Sequence, residues 1–228
     1  GTIQPVREVA ALAHQHGAFV HCDAAQAAGK IPLDVNDWDV DLLSLSAHKM
    51  YGPKGSGVLY ARGGRRLGLH PLLFGGGQEK ALRPGTLNVP AIVGLGEACR
   101  LCGAEMEGEA ARLVQLRDDF ETQLLSAIPN LQRNGNLQNR LPHNSSLTFP
   151  GIEADALLAN LPELALSTGS ACAAGAIEPS PVLAAIGLSR EEAYATVRVG
   201  LGKMTIQEEI DVAVKHIMAA FATINSMT

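Results

Sequence analysis

Two short apolar runs, set a crossover's length apart, constrain this chain more than any other feature. Ala18-Phe19-Val20-His21-Cys22 and Val40-Asp41-Leu42-Leu43-Ser44-Leu45 both read as buried strands. The connection between them, containing Gly29 and Pro32, is just long enough to join parallel strands, which need roughly a dozen residues. Ahead of the first run, Val6, Val9, Ala10 and Ala13 fall at i, i+3, i+4 and i+7. With Pro5 at its start and Gly17 as its stop, this segment predicts a helix from Pro5 to His16. A third run, Val58 to Ala61, follows a loop through Tyr51-Gly52-Pro53-Lys54-Gly55-Ser56-Gly57. Helix, strand, crossover and strand in this order predict an α/β domain with a mainly parallel sheet.

The pattern changes after the glycines Gly75-Gly76-Gly77 and the stretch Arg83-Pro84-Gly85-Thr86. Residues 90–128 are helical in pattern, as two helices or one kinked near Gly103 and Gly108, with Pro129 closing the run. The remainder predicts a smaller α+β unit. Its strands are expected near Ser145–Phe149, into Ser167, and at Thr196–Gly200; its helices from Glu153, around Val182–Ile186, and from Thr205. Thr205 and Glu208 have the Thr-x-x-Glu spacing of a capping box. The expected division is residues 1–106 for the first domain and 107–228 for the second.

Composition narrows the function classes. The chain has 228 residues, 46% hydrophobic and 18% charged, which suits a globular protein. A net charge of −5 with scattered basic residues excludes a nucleic-acid stripe or a polybasic membrane patch. No apolar run approaches bilayer length. The four cysteines Cys22, Cys99, Cys102 and Cys172 are too unevenly spaced for a disulfide framework, so a cytoplasmic, reducing setting is expected. Gly1-Thr2-Ile3-Gln4-Pro5 runs straight into a helix as though in mid-domain. The expectation is the C-terminal part of a longer protein; a processed N-terminus is the alternative.

Ligands of open α/β sheets bind outside the carboxyl ends of the strands. Asp23 and Ser46-Ala47-His48-Lys49 both follow such ends, bringing an acid, a hydroxyl, an imidazole and an amine to one crevice. Pyridoxal 5′-phosphate (PLP) requires this set. An amine forms the Schiff base, a carboxylate holds the pyridine nitrogen protonated, and hydroxyl and imidazole donors hold the phosphate. Taken alone, Ser-x-His-Lys also describes a solvated surface lysine.

The longer motifs decide between these. Val20-His21-Cys22-Asp23-Ala24-Ala25-Gln26 followed by Ser44-Leu45-Ser46-Ala47-His48-Lys49-Met50-Tyr51-Gly52-Pro53-Lys54-Gly55 resembles the class V, fold-type I PLP enzymes, and within them the cysteine desulfurases of the NifS and IscS kind. The likeness runs from Gly1 to near the C-terminus. It implies that residues 1–106 belong to the PLP-binding large domain and 107–228 to a small C-terminal domain. It implies that Lys49 carries the cofactor, Asp23 pairs with its pyridine nitrogen, and Gln26 bonds its phenolic oxygen. Ser46 and His48 would hold the phosphate, and Thr86 would reach the phosphate of a neighbouring subunit, which implies a homodimer. Pro84 stands where the family often has Ser.

The resemblance also implies a second nucleophile. Leu166-Ser167-Thr168-Gly169-Ser170-Ala171-Cys172-Ala173-Ala174-Gly175 is a loop of small residues around one thiol. In the group I desulfurases such a cysteine takes sulfur from L-cysteine and holds it as a persulfide, releasing alanine. Thr168, Ala173 and Ala174 replace residues that are often Ser or Thr there. Arg198, inside the apolar run Ala195 to Gly202, matches the arginine that grips the substrate carboxylate. A sulfur acceptor such as an iron–sulfur scaffold is the implied partner. The alternatives are an aminotransferase or selenocysteine lyase of the same class, or a truncated non-catalytic homologue, since the family's block carrying a ring-stacking histidine is not identified in this sequence.

Other features carry less. Cys99-Arg100-Leu101-Cys102 lacks the second ligand pair of a zinc site, so no metal is expected. Cys22 reads as packed in its strand. Gly75-Gly76-Gly77 lacks the Lys-Ser/Thr ending of a nucleotide loop. His70 and His143 read as loop residues, and His21 as lying opposite or beside the cofactor.

Overall fold

The computed structural model describes residues 1–168 and 180–226. The chain forms two compact units, Gln4–Glu107 and Gly108–Thr228, the latter joined by Gly1–Ile3.

In the unit Gln4–Glu107, helix α1 (Val6–Gln15) ends where Gly17 adopts φ +70°, a left-handed stop that costs glycine little. Strand β1 (His21–Asp23) pairs in parallel with β2 (Leu42–Ser46), with Asp23 opposite Ser44. Strand β3 (Gly57–Ala61) pairs with β2 antiparallel, Gly57 opposite Ser46. The parallel arrangement expected from the sequence thus holds for β1 and β2, and β3 departs from it. The reason is length: the segment 47–56 is shorter than the dozen or so residues a parallel return requires. Gly57 is needed at this pairing, because a Cβ there would sit 2.5 Å from the Leu45 carbonyl oxygen.

Alternation sorts this small sheet. Cys22, Leu43 and Leu45 belong to an apolar cluster with Ala10, Val20, Ala24 and Val40, covered by α1. The other face carries His21, Asp23, Ser44 and Ser46, and His21 Nε2 lies 3.2 Å from Ser44 Oγ. A second cluster of Ala28, Ala47, Met50 and Leu95 packs beneath the turn that follows β2.

Helix α2 (Val89–Ala127) runs for 39 residues through both Gly103 and Gly108. The two-helix reading of that stretch is replaced by one helix, and the boundary between the units falls within it. Each glycine costs helix about 1 kcal/mol relative to alanine, which the surrounding good helix formers offset.

The unit Gly108–Thr228 has an antiparallel sheet in the order β4 (Gln132–Arg133), β5 (Asn144–Thr148), β6 (Thr196–Gly200). Inward residues Leu147, Val197 and Val199 meet Leu113, Phe120 and Leu124 of α2 and Ile210, Val214 and Ile217 of the last helix, α6 (Gln207–Asn225). Between β5 and β6 come α3 (Ala154–Ala159), α4 (Pro181–Ala185) and α5 (Arg190–Tyr194).

Two expectations are corrected here, and one helix is added. The strand into Ser167 is a single bridge between Ser167 and Arg198. The capping box of α6 shifts by one residue: Glu209, not Glu208, accepts the Ile206 N–H at 3.2 Å, and Thr205 Oγ1 instead accepts from Gly202 N at 3.0 Å. Helix α5 was not anticipated, although Ser189 and Glu192 carry a true capping box, with Glu192 N donating to Ser189 Oγ at 3.1 Å and Ser189 N to Glu192 Oε2 at 2.7 Å. Among the described residues, no helix is long and apolar enough to cross a membrane.

Candidate active site

Parallel pairing of β1 and β2 puts their carboxyl ends at one edge of the sheet. Asp23 closes β1 and Ser46 closes β2, two residues past the position opposite Asp23. Because register partners and i+2 neighbours share a face, Asp23, Ser44 and Ser46 project from the same side. His21 joins them, so the histidine set aside in the sequence falls on Asp23's own face.

Both strand ends turn at once. Asp23 Oδ1 accepts the Ala25 N–H at 3.0 Å, opening a helical turn in which Ala27 N and Ala28 N donate to the Ala24 carbonyl. Gln26 stands exposed on this turn. After Ser46 the chain forms a single 3-10 turn, Ala47–Met50, with Ala47 and Met50 buried, Lys49 half-buried and His48 exposed. The two apolar residues anchor the turn while the two basic ones stay reachable. Tyr51 leaves the turn in the left-handed region at φ 63°, and Gly52 N donates to the Ala47 carbonyl at 2.9 Å. Gly52 fits because a Cβ would stand 3.1 Å from that same oxygen.

Thr86 is exposed in the same unit, one residue after Gly85 at φ +101°. Gly85 N donates to Gln78 Oε1 at 3.1 Å, which pins the Arg83-Pro84-Gly85-Thr86 loop back onto the preceding turn.

Arg198 belongs to the other unit. It lies in the middle of β6, opposite Ser146 of β5, and exchanges backbone hydrogen bonds with Ser167, Arg198 N donating at 2.6 Å. Its face of the sheet is polar: Asn134 Nδ2 donates to Ser146 Oγ at 3.3 Å and Thr148 Oγ1 at 2.8 Å, and Thr148 shares a 2.7 Å bond with Thr196. Cys172 lies outside the described residues.

Cys22 and Cys102 are placed as packing groups, and Cys99 is exposed. Burial, then the Asp23 charge, pushes the Cys22 thiol up, away from the thiolate a nucleophile needs. Cys102 Sγ occupies the space beside Gly29, 2.6 Å from where a Cβ would stand.

A family model, aminotransferase class-V, matches residues 1–212. The chain belongs to the aminotransferase class-V family. Asp23, Lys49, Cys172 and Arg198 all fall inside that matched range. Among curated relatives, the mitochondrial cysteine desulfurase of Arthroderma benhamiae is 46% identical over 217 residues, covering 95% of this chain and 43% of that protein. Cysteine desulfurase IscS of Anaeromyxobacter sp. strain Fw109-5 is 42% identical over 228 residues, covering 100% of this chain and 56% of that one. A solved NifS-like protein superposes with a TM-score of 0.85 at 34% identity, covering 98% of this chain and 58% of that structure. The chain thus spans about half the length of the curated relatives it matches.

Proposed function

We propose that this chain is the part of a PLP-dependent cysteine desulfurase that carries the cofactor lysine and the sulfur-accepting cysteine, acting on L-cysteine in the cytoplasm as a homodimer. The observation that carries the reading is the shared edge of β1 and β2, where Asp23 and the Lys49 turn stand side by side. In this reading the unit Gln4–Glu107 supplies the cofactor-binding domain and the unit Gly108–Thr228 the small domain.

The donor set fits the group. A carboxylate, two hydroxyl or imidazole donors and an amine are the partners that a pyridinium nitrogen, a phosphate and an aldehyde require. When bound, PLP supplies an electron sink conjugated to the α-carbon of an amino acid. Asp23 would hold the proton on the ring nitrogen, and Gln26 would bond the phenolic oxygen. Ser46 and His48 would hold the phosphate, which Thr86 of a second copy would also reach. Lys49 would hold the group through Nζ, and its amine would move a proton beside the substrate. Arg198 takes the substrate carboxylate with its planar fork. Cys172 receives the sulfur: L-cysteine and the Cys172 thiol become L-alanine and a Cys172 persulfide, with no external oxidant or reductant. The persulfide then passes to a sulfur acceptor such as an iron–sulfur scaffold.

The test adds PLP to the purified chain, reduces with borohydride and locates the added mass. The label is expected on Lys49 and absent from Lys49→Ala; a label that persists elsewhere in that variant refutes the assignment. Cys172→Ser is expected to keep the label and lose persulfide formation from L-cysteine. Undiminished sulfur release by that variant would exclude a desulfurase of this kind.

A further inference from the structure

Lys30 is 6% exposed, unusual for a lysine. Its ammonium lies 4.7 Å from the centroid of the Tyr51 ring. Tyr51 is a left-handed residue with a bulky side chain, a conformation that persists only where the surroundings over-determine it. It is also the exit of the turn that holds Lys49, its N–H bonded to the Ala47 carbonyl. Lys30 itself closes the turn that begins at Asp23, with Lys30 N donating to the Ala27 carbonyl at 3.0 Å. The two turns are packed together beside this contact: Gly29, at φ +69°, leaves room for Cys102 and Met50, whose Cγ would lie 3.4 Å from a Cβ there.

We propose that Lys30 is a positioning residue, whose cation over the Tyr51 ring holds the left-handed exit of the Lys49 turn and so sets that turn against the one following Asp23. The inference rests on the reading above only for its consequence, that Lys49 is the cofactor lysine. The clamp is electrostatic. An ammonium over a ring face gains from the ring quadrupole, more so when partly desolvated, and a guanidinium substitutes for it. Methionine of similar length keeps the stem's packing and loses the charge.

Amide hydrogen exchange on the full chain without cofactor reads the clamp directly, at the Gly52 N–H bonded to Ala47. Lys30→Met should speed exchange at Gly52 by about tenfold, while Lys30→Arg stays within about twofold of the unmodified chain. Tyr51→Leu, made at a residue 57% exposed, should match Lys30→Met from the other side of the contact and guards against a folding defect at the buried position. Amides of the β1–β2 ladder should be unchanged in all three. Gly52 exchange at the unmodified rate in Lys30→Met or in Tyr51→Leu overturns the proposal, as does failure of arginine to rescue. A parallel PLP and borohydride experiment separates the two claims. Lys49 labelling reduced in Lys30→Met and kept in Lys30→Arg supports the clamp's role. Faster Gly52 exchange in a chain that never labels at Lys49 upholds the clamp and refutes the cofactor reading.

Discussion

Glu121 is fully buried, and its replacement by glutamine tests how the Arg198 sheet is held. Arg140 donates to both of its carboxylate oxygens, at 2.6 and 2.9 Å; Ser145 Oγ donates at 2.7 Å and Arg133 at 3.3 Å. Glu121→Gln keeps the shape and removes the charge. Among the described residues it leaves the Arg140 guanidinium, 10% exposed, with only half-exposed Asp118 as an anionic partner, at 3.1 Å. Removing one partner of a buried pair costs about 3–5 kcal/mol, whereas losing a neutral hydrogen bond costs about 1. Because Asp118 remains, the lower end applies, about 3 kcal/mol. In urea, with a slope of about 2 kcal/mol/M, the midpoint should fall by about 1.5 M. The pH dependence carries its own sign. Burial alone would raise the Glu121 pKa, but the bonds from Arg140 and Ser145, the Arg140 charge and the Arg133 bond outweigh it and hold the carboxyl below its usual range. A depressed folded pKa contributes stability above the unfolded value and loses it as pH falls through the folded one. The gap between the unmodified chain and Glu121→Gln should therefore be full near neutrality and shrink on acidification below the ordinary glutamate range. A cost under about 1 kcal/mol, or a gap that widens in acid, would refute the reasoning.

His14 predicts the opposite slope. The bond to Asp41 at 2.9 Å raises its pKa, helped by the Asp41 and Asp39 charges, so its contribution is present below the ordinary histidine value and lost as pH rises through the raised one. The difference in melting temperature between the unmodified chain and His14→Gln should close as pH is raised; a difference constant into the alkaline range rules the pair out as its source. Gly29→Ala and Gly17→Ala form a matched pair, since both glycines have φ near +70° but only Gly29 has a neighbour within reach of a Cβ. Denaturant titration should show about 1–2 kcal/mol lost at Gly17, the left-handed cost alone, and about 3 kcal/mol at Gly29, where overpacking adds to it. Equal losses would mean that Cys102 and Met50 yield without cost.

Much of the proposed site was legible because it is local. Strand, acid, turn and lysine follow one another within a few residues, and alternation alone puts His21 on Asp23's face and Ser44 on that of Ser46; the β1–β2 register then joins the two pairs. The small unit was legible in its strands at Ser145 and Thr196, where the apolar period is two. It was less so at its helix starts: Thr205 and Glu208 match a capping pattern, yet Glu209 makes the bond, because a one-residue choice of cap depends on where the preceding loop delivers the chain. Helix α5 carried the same pattern at Ser189 and Glu192 in a stretch with too few apolar residues to attract notice.

By itself, then, the sequence determined the α/β class, the order of β1 and β2, and the residues proposed to hold a pyridine nitrogen, a phosphate and an aldehyde. Tertiary structure alone decided that Asp23 stands opposite Ser44, that one helix continues through Gly103 and Gly108, that Glu209 rather than Glu208 caps α6, and that Lys30 meets Tyr51. The difference is physical. Periodicity, turn chemistry and loop length are written along the chain, whereas strand register, cap choice and the contact of two separated turns depend on which segments pack together, and no single stretch of sequence contains that information.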